Sequence, residues 1–353
     1  MELRYGLNPH QAARMTGDTT LPFRVLNGTP SFINVLDALG AWQLVREASD
    51  ALGAPAAASF KHTSPAGAAI AGRIDSTMRA SWGLRRTEAS PLTSAYVRAR
   101  DCDPKSSFGD MIAVSHPVDA ELAAFVCGVI ADGIIAPGFE PGTVELLARK
   151  KRRAFCVLEA DPGYEPPAWE RREVYGVVLE QEADSRPITA ECLQGPQLPE
   201  AAVRDALLGM ITLRYTQSNS VAFVRDGMTL GVAAGQQSRV DCTRLAGDKA
   251  AIWSRRRHPA AREPAFAPRL PRQERLNGQM RRASDPSLPN GLDGVTMVSD
   301  GFLPFADNVD VASEYGVRYI VEPGGSTRSE DVRAACRSRG IILVETGIRL
   351  FRH

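Results

Sequence analysis

The sequence predicts an α/β protein whose sheet contains parallel strands. Over roughly the last 60 residues, short apolar runs typical of strands alternate with segments typical of helices. Strands and helices that alternate in this way favour a sheet with parallel members and right-handed crossovers. Glycine and proline separate these segments, as at Gly316 and Pro323. At 353 residues, the chain is long enough for two α/β units of ordinary size.

The first predicted element is a helix over residues 35–52. Asn34 is its predicted N-cap, and Gly53 supplies the stop. Its apolar side chains recur on one helical face, at Val35, Ala38, Leu39, Trp42 and Val45. A small apolar run over 56–60 follows and predicts a short buried strand.

Two polar residues stand at the carboxyl end of this strand. They are Lys61 and His62, and the small residues of 63–67 after them predict a loop that leads into a helix. Open α/β sheets bind ligands beyond the carboxyl ends of their strands, so this position is suggestive. A histidine that titrates near neutrality can move protons, and a neighbouring lysine can bind an anion or hold its tautomer. A plain surface Lys-His pair is the alternative.

The remaining elements follow from apolar runs bounded by turn residues. Further strands are predicted over 111–114, 129–135, 221–224, 229–233, 295–298, 317–321 and 341–344, with helices over 309–315 and 328–339. The Asp226-Gly227 pair is a strong signal for a hairpin between two of these strands. Residues 150–200 combine mixed charge with several prolines, which predicts an irregular stretch or an edge subdomain.

Residues 254–290 differ in composition from their surroundings. Nine arginines lie between Arg255 and Arg282, together with the prolines Pro259, Pro264, Pro268 and Pro271. A segment so poor in core-forming residues is predicted to be an exposed insert or a mobile connection. A nucleic-acid-binding tail would also be basic, but the segment lacks the aromatic residues interleaved among the basic ones that base stacking requires.

Composition excludes several classes of protein. The formal charge of +1 gives no basis for a general nucleic-acid or membrane partner, and no apolar run reaches the roughly 18 residues that span a bilayer. The N-terminus lacks the pattern of a signal peptide. Six scattered cysteines without a CxxC pair argue against a zinc site and a disulfide framework: Cys102, Cys127, Cys156, Cys192, Cys242 and Cys336. These features are typical of a cytoplasmic protein.

Three further loops carry residues suited to binding or catalysis. Asn219, in the loop 216–220, offers amide hydrogens for an oxyanion. The loop 235–239 ends in Arg239 and suits a phosphate or carboxylate. The glycines of 323–327 precede a helix, where backbone N–H groups favour anions, although the spacing is that of neither a P-loop nor a GxGxxG motif. An ordinary turn is the alternative for each loop, and it is favoured for 216–220 when that loop is taken alone.

Together, these segments resemble a known family from end to end. The sequence closely resembles the aminoimidazole carboxamide ribonucleotide (AICAR) formyltransferase portion of the bifunctional purine-biosynthesis enzymes. The resemblance is carried in order by LRYGLNPHQ from Leu3, VLNGTPSFINVLDALGAWQLV from Val25, AAASFKHTSPAGAA from Ala56, SSFGD from Ser106, ADGIIAPG from Ala131, RYTQSNSV from Arg214, AAGQQSRVDCTRLAGDKA from Ala233, SDGFLPFADNVD from Ser299 and RLF from Arg349.

The resemblance implies a role for particular residues. The implied catalytic residues are Lys61, His62 and Asn219. The implied nucleotide-binding residues are Arg4, Tyr5, Gly109, Asp132, Arg239 and Arg349. The implied folate-binding residues are Val240, Phe302, Asp307, Ser326 and Thr327. The co-substrate would be 10-formyltetrahydrofolate, and a homodimer would share its active sites, with Arg239 reaching the nucleotide phosphate of the neighbouring subunit.

The resemblance also implies a fold. Family members have two cytidine-deaminase-like α/β subdomains, each a three-layer sheet with helices on both faces, without the deaminase zinc. The corresponding units here would be residues 1–205 and 206–353. No catalytic metal is implied. A structural potassium ion near the C-terminus is implied, but this chain ends in Arg352-His353 where the family commonly ends in two histidines.

The expected activity is formyl transfer to the 5-amine of AICAR, giving formamido-AICAR in purine biosynthesis. No cyclohydrolase domain precedes the matching segments, so we expect a stand-alone transformylase whose product is closed to inosine monophosphate by another protein. One alternative is the same transfer to a related aminoimidazole or heteroaryl amine in a specialised pathway. Another is a non-catalytic protein that binds a nucleotide or a folate on the same scaffold.

Overall fold

The computed structural model of the chain describes residues 1–16, 21–84, 88–262 and 269–353. Its strands in chain order are β1 (Phe23–Asn27), β2 (Ala56–Lys61), β3 (Ser64–Ile70), β4 (Asp110–Val114), β5 (Ala131–Ala136), β6 (Cys156–Ala160), β7 (Trp169–Val174), β8 (Val177–Glu182), β9 (Val221–Arg225), β10 (Met228–Ala233), β11 (Val295–Ser299), β12 (Val317–Glu322) and β13 (Ile342–Glu345).

Eleven strands within the described ranges form one mixed sheet, which confirms the predicted α/β class. Their order is β1-β6-β5-β4-β2-β3-β10-β9-β11-β12-β13, and β7 and β8 form a separate hairpin. The parallel pairs are β4 with β5, β5 with β6, β11 with β12 and β12 with β13. The remaining neighbours in the sheet are antiparallel.

Helices cover both faces of the sheet and make three layers. They are α1 (Phe32–Leu52), α2 (Ser76–Trp82), α3 (Pro91–Cys102), α4 (Ala120–Cys127), α5 (Thr143–Ala148), α6 (Glu200–Arg214), α7 (Arg239–Arg255), α8 (Arg272–Ala283), α9 (Asp307–Glu314) and α10 (Ser329–Ser338). The core on one face contains α1 and α6, and the core on the other face contains buried residues from the remaining helices.

The same unit occurs twice along the chain. The first copy runs α1-β2-β3-α3-β4-α4-β5-α5-β6 and the second runs α6-β9-β10-α7-β11-α9-β12-α10-β13. Read outward from the centre of the sheet, the first copy has the strand order β3-β2-β4-β5-β6 and the second has β10-β9-β11-β12-β13. The strands of the two copies therefore correspond one to one. The duplicated α/β arrangement predicted from the resemblance is therefore confirmed. The boundary predicted at 205/206 falls inside α6, and it stays a prediction.

Two glycines show how closely the copies correspond. Gly67 is the fourth residue of β3, and a Cβ there would overlap the carbonyl oxygen of Ala99 on α3. Gly231 is the fourth residue of β10, and a Cβ there would overlap the carbonyl oxygen of Ala246 on α7. Glycine at these positions lets each helix lie directly against its strand.

One edge of the sheet, here named the upper edge, collects the loops of interest. Because β2 runs antiparallel to β4 and to β3, the carboxyl end of β2 lies at the same edge as the starts of β4, β5 and β6. Continuing across the β3–β10 join, the start of β9 and the carboxyl ends of β10 to β13 lie there too. The predicted binding loops are therefore brought to a single edge.

The start of α1 differs in detail from the prediction. Ser31, not Asn34, is the N-cap, and its hydroxyl accepts a hydrogen bond from Asn34 N at 3.3 Å. Asn34 is the third residue of the helix, and its side-chain oxygen Oδ1 accepts a hydrogen bond from Ser31 N at 3.1 Å. Both residues are cap-forming types, so the sequence predicted the capping chemistry but assigned the cap three residues late. Gly53 ends the helix in a left-handed conformation, as expected.

The prediction of a loop over residues 63–67 is wrong. Only His62 and Thr63 form a turn, and β3 begins at Ser64 as a fully buried strand in the centre of the sheet. Pro65 and Gly67 are typical of loops, but glycine is needed at position 67 because a Cβ there would overlap the backbone of α3. Burial between two helical layers outweighs local propensity at this point.

The prediction for residues 150–200 is only partly right. The buried strand β6, inside this stretch, belongs to the main sheet. The hairpin of β7 and β8 lies outside the main sheet, as an edge subdomain would, and every residue of both strands is exposed.

The arginine-rich segment 254–290 is anchored in the fold, contrary to the prediction of an exposed insert or mobile connection. α8 packs against α2 and α7. Arg256 is fully buried and pairs with the fully buried Asp101, with Nη2 2.8 Å from Oδ1. The buried carboxylate explains why a cation is drawn into the interior. Pro264 and Pro268 lie outside the described residues.

Candidate active site

The turn between β2 and β3 presents the predicted catalytic pair. Lys61 pairs with Ser64 across the strands, which leaves His62 and Thr63 as a two-residue turn with φ of 55° and 60°. Positive φ at both positions is the geometry of a type I′ hairpin, which usually requires asparagine or glycine. Lys61 Nζ donates to the carbonyl of Phe108 at 2.5 Å, and His62 is exposed at the upper edge.

A buried carboxylate supports this turn from below. Asp37, on α1, accepts a hydrogen bond from Thr63 N through Oδ1 at 2.7 Å. Burial raises the pKa of Asp37 to about 6, and the backbone of Thr63 and the charge of His62 act in the opposite direction. Asp37 was not among the residues predicted from the sequence. An aspartate that interrupts the apolar face of a helix was the available signal.

Gly109 and Asp132 lie beside Lys61, as their shared assignment to the nucleotide predicts. Gly109 has φ 77°, and a Cβ built there would lie 3.8 Å from Asp132 Oδ1 and 4.0 Å from Lys61 Nζ. Asp132 also forms an ion pair with Lys151, a residue that was not predicted from the sequence. This part of the upper edge therefore holds two lysines around one carboxylate.

A buried polar network fixes the loop that Lys61 contacts. Asp110 is fully buried and accepts hydrogen bonds from Ser59 Oγ at 2.7 Å, Tyr96 OH at 3.0 Å and Arg100 Nη1 at 2.6 Å. Ser107 is hydrogen-bonded to Ser59 at 2.8 Å. Both carboxylate oxygens of Asp110 have donors, which holds the loop before β4 in place as a support for Lys61.

Arg4 and Tyr5 lie at the same side of the upper edge. Arg4 Nη2 donates to Tyr5 OH at 2.8 Å, and the backbone of Tyr5 accepts from Phe32 N at the start of α1. The charges of Arg4 and Asp132 both act on the thiol of Cys156, at the start of β6 on the upper edge. We name the set Arg4, Tyr5, Lys61, His62, Gly109 and Asp132 the first half-site.

A second set of predicted residues surrounds Arg239, at the start of α7. Arg239 Nη2 donates to Asn219 Oδ1 at 2.6 Å, and Arg239 Nη1 pairs with the fully buried Asp300. Asn219 Nδ2 donates to the carbonyl of Gln237 at 3.1 Å. Asp300 was not among the residues predicted from the sequence, although it lies inside the string SDGFLPFADNVD. It fixes Arg239, which in turn orients the amide of Asn219.

Arg349 and the folate positions lie around this arginine or on the loops next to it. Arg349 lies over the ring of Phe351 at 4.7 Å, and the same ring is 6.0 Å from Arg239. Phe302 is 44% exposed on the loop after β11. Val240 follows Arg239 on α7, Asp307 begins α9, and Ser326 and Thr327 follow β12. We name Asn219, Arg239, Val240, Phe302, Asp307, Ser326, Thr327 and Arg349 the second half-site.

One further carboxyl group supports the second half-site. Glu322, at the end of β12, accepts a hydrogen bond from Leu303 N at 3.1 Å and therefore ties the two neighbouring loops together. Arg328 lies over the ring of Phe305 at 5.4 Å and adds a second contact between them. Burial raises the pKa of Glu322 to about 7, against the hydrogen bonds from Gly324 and Leu303.

The two half-sites lie apart from each other within one chain. Lys61 ends β2 and Asn219 precedes β9, and two other strands lie between them in the sheet. Three strand spacings correspond to about 14 Å. The nearest recorded link is a hydrogen bond from Gln217 N to Ser64 Oγ at 3.2 Å. Within one chain, His62 and Asn219 are therefore about three strand positions apart, although their loops meet at Gln217 and Ser64.

The fold and the two half-sites define a duplicated α/β protein with a polar site at one edge of its sheet. Comparison with known proteins is more specific. The model of the AICARFT/IMPCHase bienzyme family matches residues 1–249, and the chain belongs to that family. The resemblance stated from the sequence strings is thus confirmed.

Curated relatives cover almost the whole chain. The bifunctional purine biosynthesis proteins PurH of Roseobacter denitrificans and Chloroflexus aurantiacus are each 34% identical over 99% of the chain, and that of Magnetococcus marinus is 32% identical over 99%. The chain spans 59% of the length of each of these relatives.

None of the described helices is both long and apolar enough to cross a membrane. No group of three or more His, Cys, Asp or Glu in the described part of the chain is arranged to hold a metal ion.

Proposed function

We propose that this chain transfers the formyl group of 10-formyltetrahydrofolate to the 5-amine of AICAR. The observation that carries the proposal is the exposed His62 on a fixed turn, with Lys61, Gly109 and Asp132 beside it. Family membership supports a role in purine biosynthesis, and the names of the relatives place them in that pathway. We assign nucleotide contact to Arg4 and Tyr5, which are hydrogen-bonded to each other on the same side of the upper edge.

The chemistry is acyl transfer by direct attack. The amine nitrogen forms a bond to the formyl carbon, the bond from that carbon to the folate nitrogen breaks, and the folate nitrogen receives a proton. His62 accepts the proton that the amine loses, and Lys61 supports the leaving folate nitrogen. The side-chain amide of Asn219 donates to the formyl oxygen as charge develops on it. One N–H of this amide donates to the carbonyl of Gln237, and the other N–H is available to donate to the formyl oxygen.

We further propose that a second copy of the chain completes each site. His62 and Asn219 must meet one formyl group, yet they lie about three strand spacings apart in one chain, or about 14 Å. Pairing the first half-site of one copy with the second half-site of another removes this separation. Such a dimer would hold two identical sites, as closed two-fold assemblies do.

The hairpin of β7 and β8 is a candidate for holding this second copy. Trp169, Tyr175 and Leu179 are 56%, 105% and 57% exposed, although isolated two-stranded hairpins are at best marginally stable in water. Arg172 on the hairpin donates to the carbonyl of His353 at 2.9 Å. The adjacent Arg352 N donates to Ser218 Oγ at 3.1 Å, so the hairpin lies next to the second half-site.

Substituting Trp169 and Leu179 by Asp should weaken the dimer by at least about 100-fold, because buried aromatic and aliphatic anchors dominate interfaces. Light scattering at low micromolar concentration would show the wild-type chain as a dimer of 38.1 kDa subunits and the variant as a monomer. Leu270→Asp, at another exposed apolar residue, is the control and should stay dimeric. An unchanged mass for the double variant would remove the hairpin from the interface.

We also propose a reducing, cytoplasmic setting for the protein. All six cysteines are unpaired, and burial raises the pKa of several of their thiols, including Cys242 to about 12. Buried protonated thiols of this kind are unreactive and do not form disulfides. Localisation of a tagged chain, with fractionation as the readout, would test this assignment.

A direct assay tests the proposed reaction. Purified chain is supplied with AICAR and 10-formyltetrahydrofolate, tetrahydrofolate is followed by absorbance, and the nucleotide is analysed by mass spectrometry. Formamido-AICAR supports the proposal, and mass spectrometry distinguishes it from inosine monophosphate. Activity only with a related aminoimidazole would change the acceptor. Binding of nucleotide or folate without turnover of any amine would overturn the proposal.

A further inference from the structure

A buried aspartate directly contacts the turn that carries His62. Asp37 is 5% exposed, and its Oδ1 accepts from Thr63 N at 2.7 Å. His62 and Thr63 both have positive φ, a region that is unfavourable for residues other than glycine. The unfavourable backbone conformation persists only if surrounding contacts hold it. The contact with Asp37 is therefore a support of the turn and not an incidental surface bond.

The internal repeat contains the same contact a second time. Asp205 is the sixth residue of α6, as Asp37 is of α1. Asp205 accepts from Gly227 N at 2.6 Å and from Asp226 N at 3.0 Å, in the turn between β9 and β10. The two turns share no residue type, His-Thr in one and Asp-Gly in the other. The shared feature is a carboxylate from the preceding helix that binds the backbone of a left-handed turn.

We propose that Asp37 is a positioning residue for His62. Its bond to Thr63 N fixes the turn, and the turn fixes the direction in which the imidazole leaves the upper edge. The inference rests on the proposed function, which gives His62 its role in proton transfer. In the second copy the turn residue at the corresponding place is Asp226, so the bond made by Asp205 has no imidazole to orient.

The charge of Asp37 adds to this role. Burial raises the pKa of Asp37 from 3.8 to about 6, and the charged groups that act on it are His62 and Asp132. Ionisation of the buried group is unfavourable, so its contribution to folding stability decreases as the pH rises from 3.8 to about 6 and stays low above that. Above pH 6 the carboxylate is the stronger acceptor for Thr63 N–H, and it stabilises a positive charge on His62 during proton transfer.

Paired alanine substitutions test the positioning role. Asp37→Ala should lower kcat by about 10- to 100-fold through misplacement of His62 while leaving the KM for AICAR within about twofold. Asp205→Ala removes the equivalent bond at the opposite edge and should leave kcat within about twofold of wild type. Thermal unfolding of both variants measures how much each hydrogen bond contributes to the stability of the fold. Equal losses of kcat in the two variants, or none with Asp37→Ala, would overturn the proposal.

Asp37→Asn provides a second test that does not depend on turnover. The amide keeps an acceptor for Thr63 N but cannot ionise. In a His62→Ala background, which removes the neighbouring imidazole, the amide proton of Thr63 followed by NMR should show an inflection near pH 6 with Asp37 intact and none with Asp37→Asn. A resonance without that inflection while Asp37 is intact would contradict the contact. The inflection in this background, together with no formyl transfer by the wild-type chain, would reject the proposed function and leave the support of the turn intact.

Discussion

His62→Ala should slow formyl transfer by roughly 100- to 10,000-fold, the usual contribution of a general acid–base group. The imidazole is exposed and makes no side-chain hydrogen bond that the structure records, so its removal leaves the fold unchanged. The backbone of the turn, including the bond from Thr63 N to Asp37, does not involve the side chain. The loss should therefore appear in kcat with little change in thermal stability.

His116→Ala is the matched control. His116 is also exposed, but it follows β4 and lies at the edge opposite to His62. Its only recorded polar contact is with Ser115 Oγ at 2.9 Å. We expect normal turnover from this variant. Comparable losses in both histidine variants, or normal rates with His62→Ala, would show that His62 does not transfer the proton.

Arg256→Met should lower the free energy of unfolding by about 3 kcal/mol, near the lower end of the cost of breaking a buried ion pair. The guanidinium is fully buried and donates to the Asp101 carboxylate at 2.8 Å and to the Asp101 carbonyl at 3.1 Å. Its removal leaves a fully buried carboxylate with fewer donors. Trp82 Nε1 at 2.9 Å and Arg257 Nη2 at 3.1 Å would still contact that carboxylate, which limits the loss.

Urea denaturation is the appropriate measurement, since a change of midpoint at constant slope reports stability alone. Arg281→Met is the control, because Arg281 belongs to the same arginine-rich segment but is exposed on α8. Its midpoint should equal that of the wild-type chain. If Arg256→Met also unfolded at the wild-type midpoint, the buried pair would contribute nothing to the anchoring of this segment.

The two hairpins show which parts of the fold the sequence could predict. Asp226-Gly227 is a favoured type I′ pair, and the hairpin was predicted there correctly. His62-Thr63 adopts the same backbone shape without favoured residues, and the hairpin was missed. Its conformation is imposed by the buried strands on either side and by Asp37, which no local rule takes into account. Tertiary contacts decide such turns.

The arginine-rich segment illustrates a different limit. An arginine-rich composition predicts exposure, because burying an unpaired cation such as Arg256 is unfavourable. It does not reveal the carboxylate that pairs with Arg256, since Asp101 lies more than 150 residues earlier in the chain. The same holds for the candidate site. Residue types and family strings predicted His62, Asn219 and Arg239, whereas their buried partners Asp37 and Asp300 could be recognised only once the helices and strands had been assembled.

The β3–β10 join has an evolutionary consequence. The single recorded backbone pairing there, Met228 with Ala69, is antiparallel, so a two-fold axis perpendicular to the sheet relates the two copies. A half-length ancestor could have formed this sheet by self-association, with identical turns at opposite edges. In a single polypeptide the two turns need not be identical. The turn at the upper edge is His62-Thr63, and the turn at the opposite edge is Asp226-Gly227.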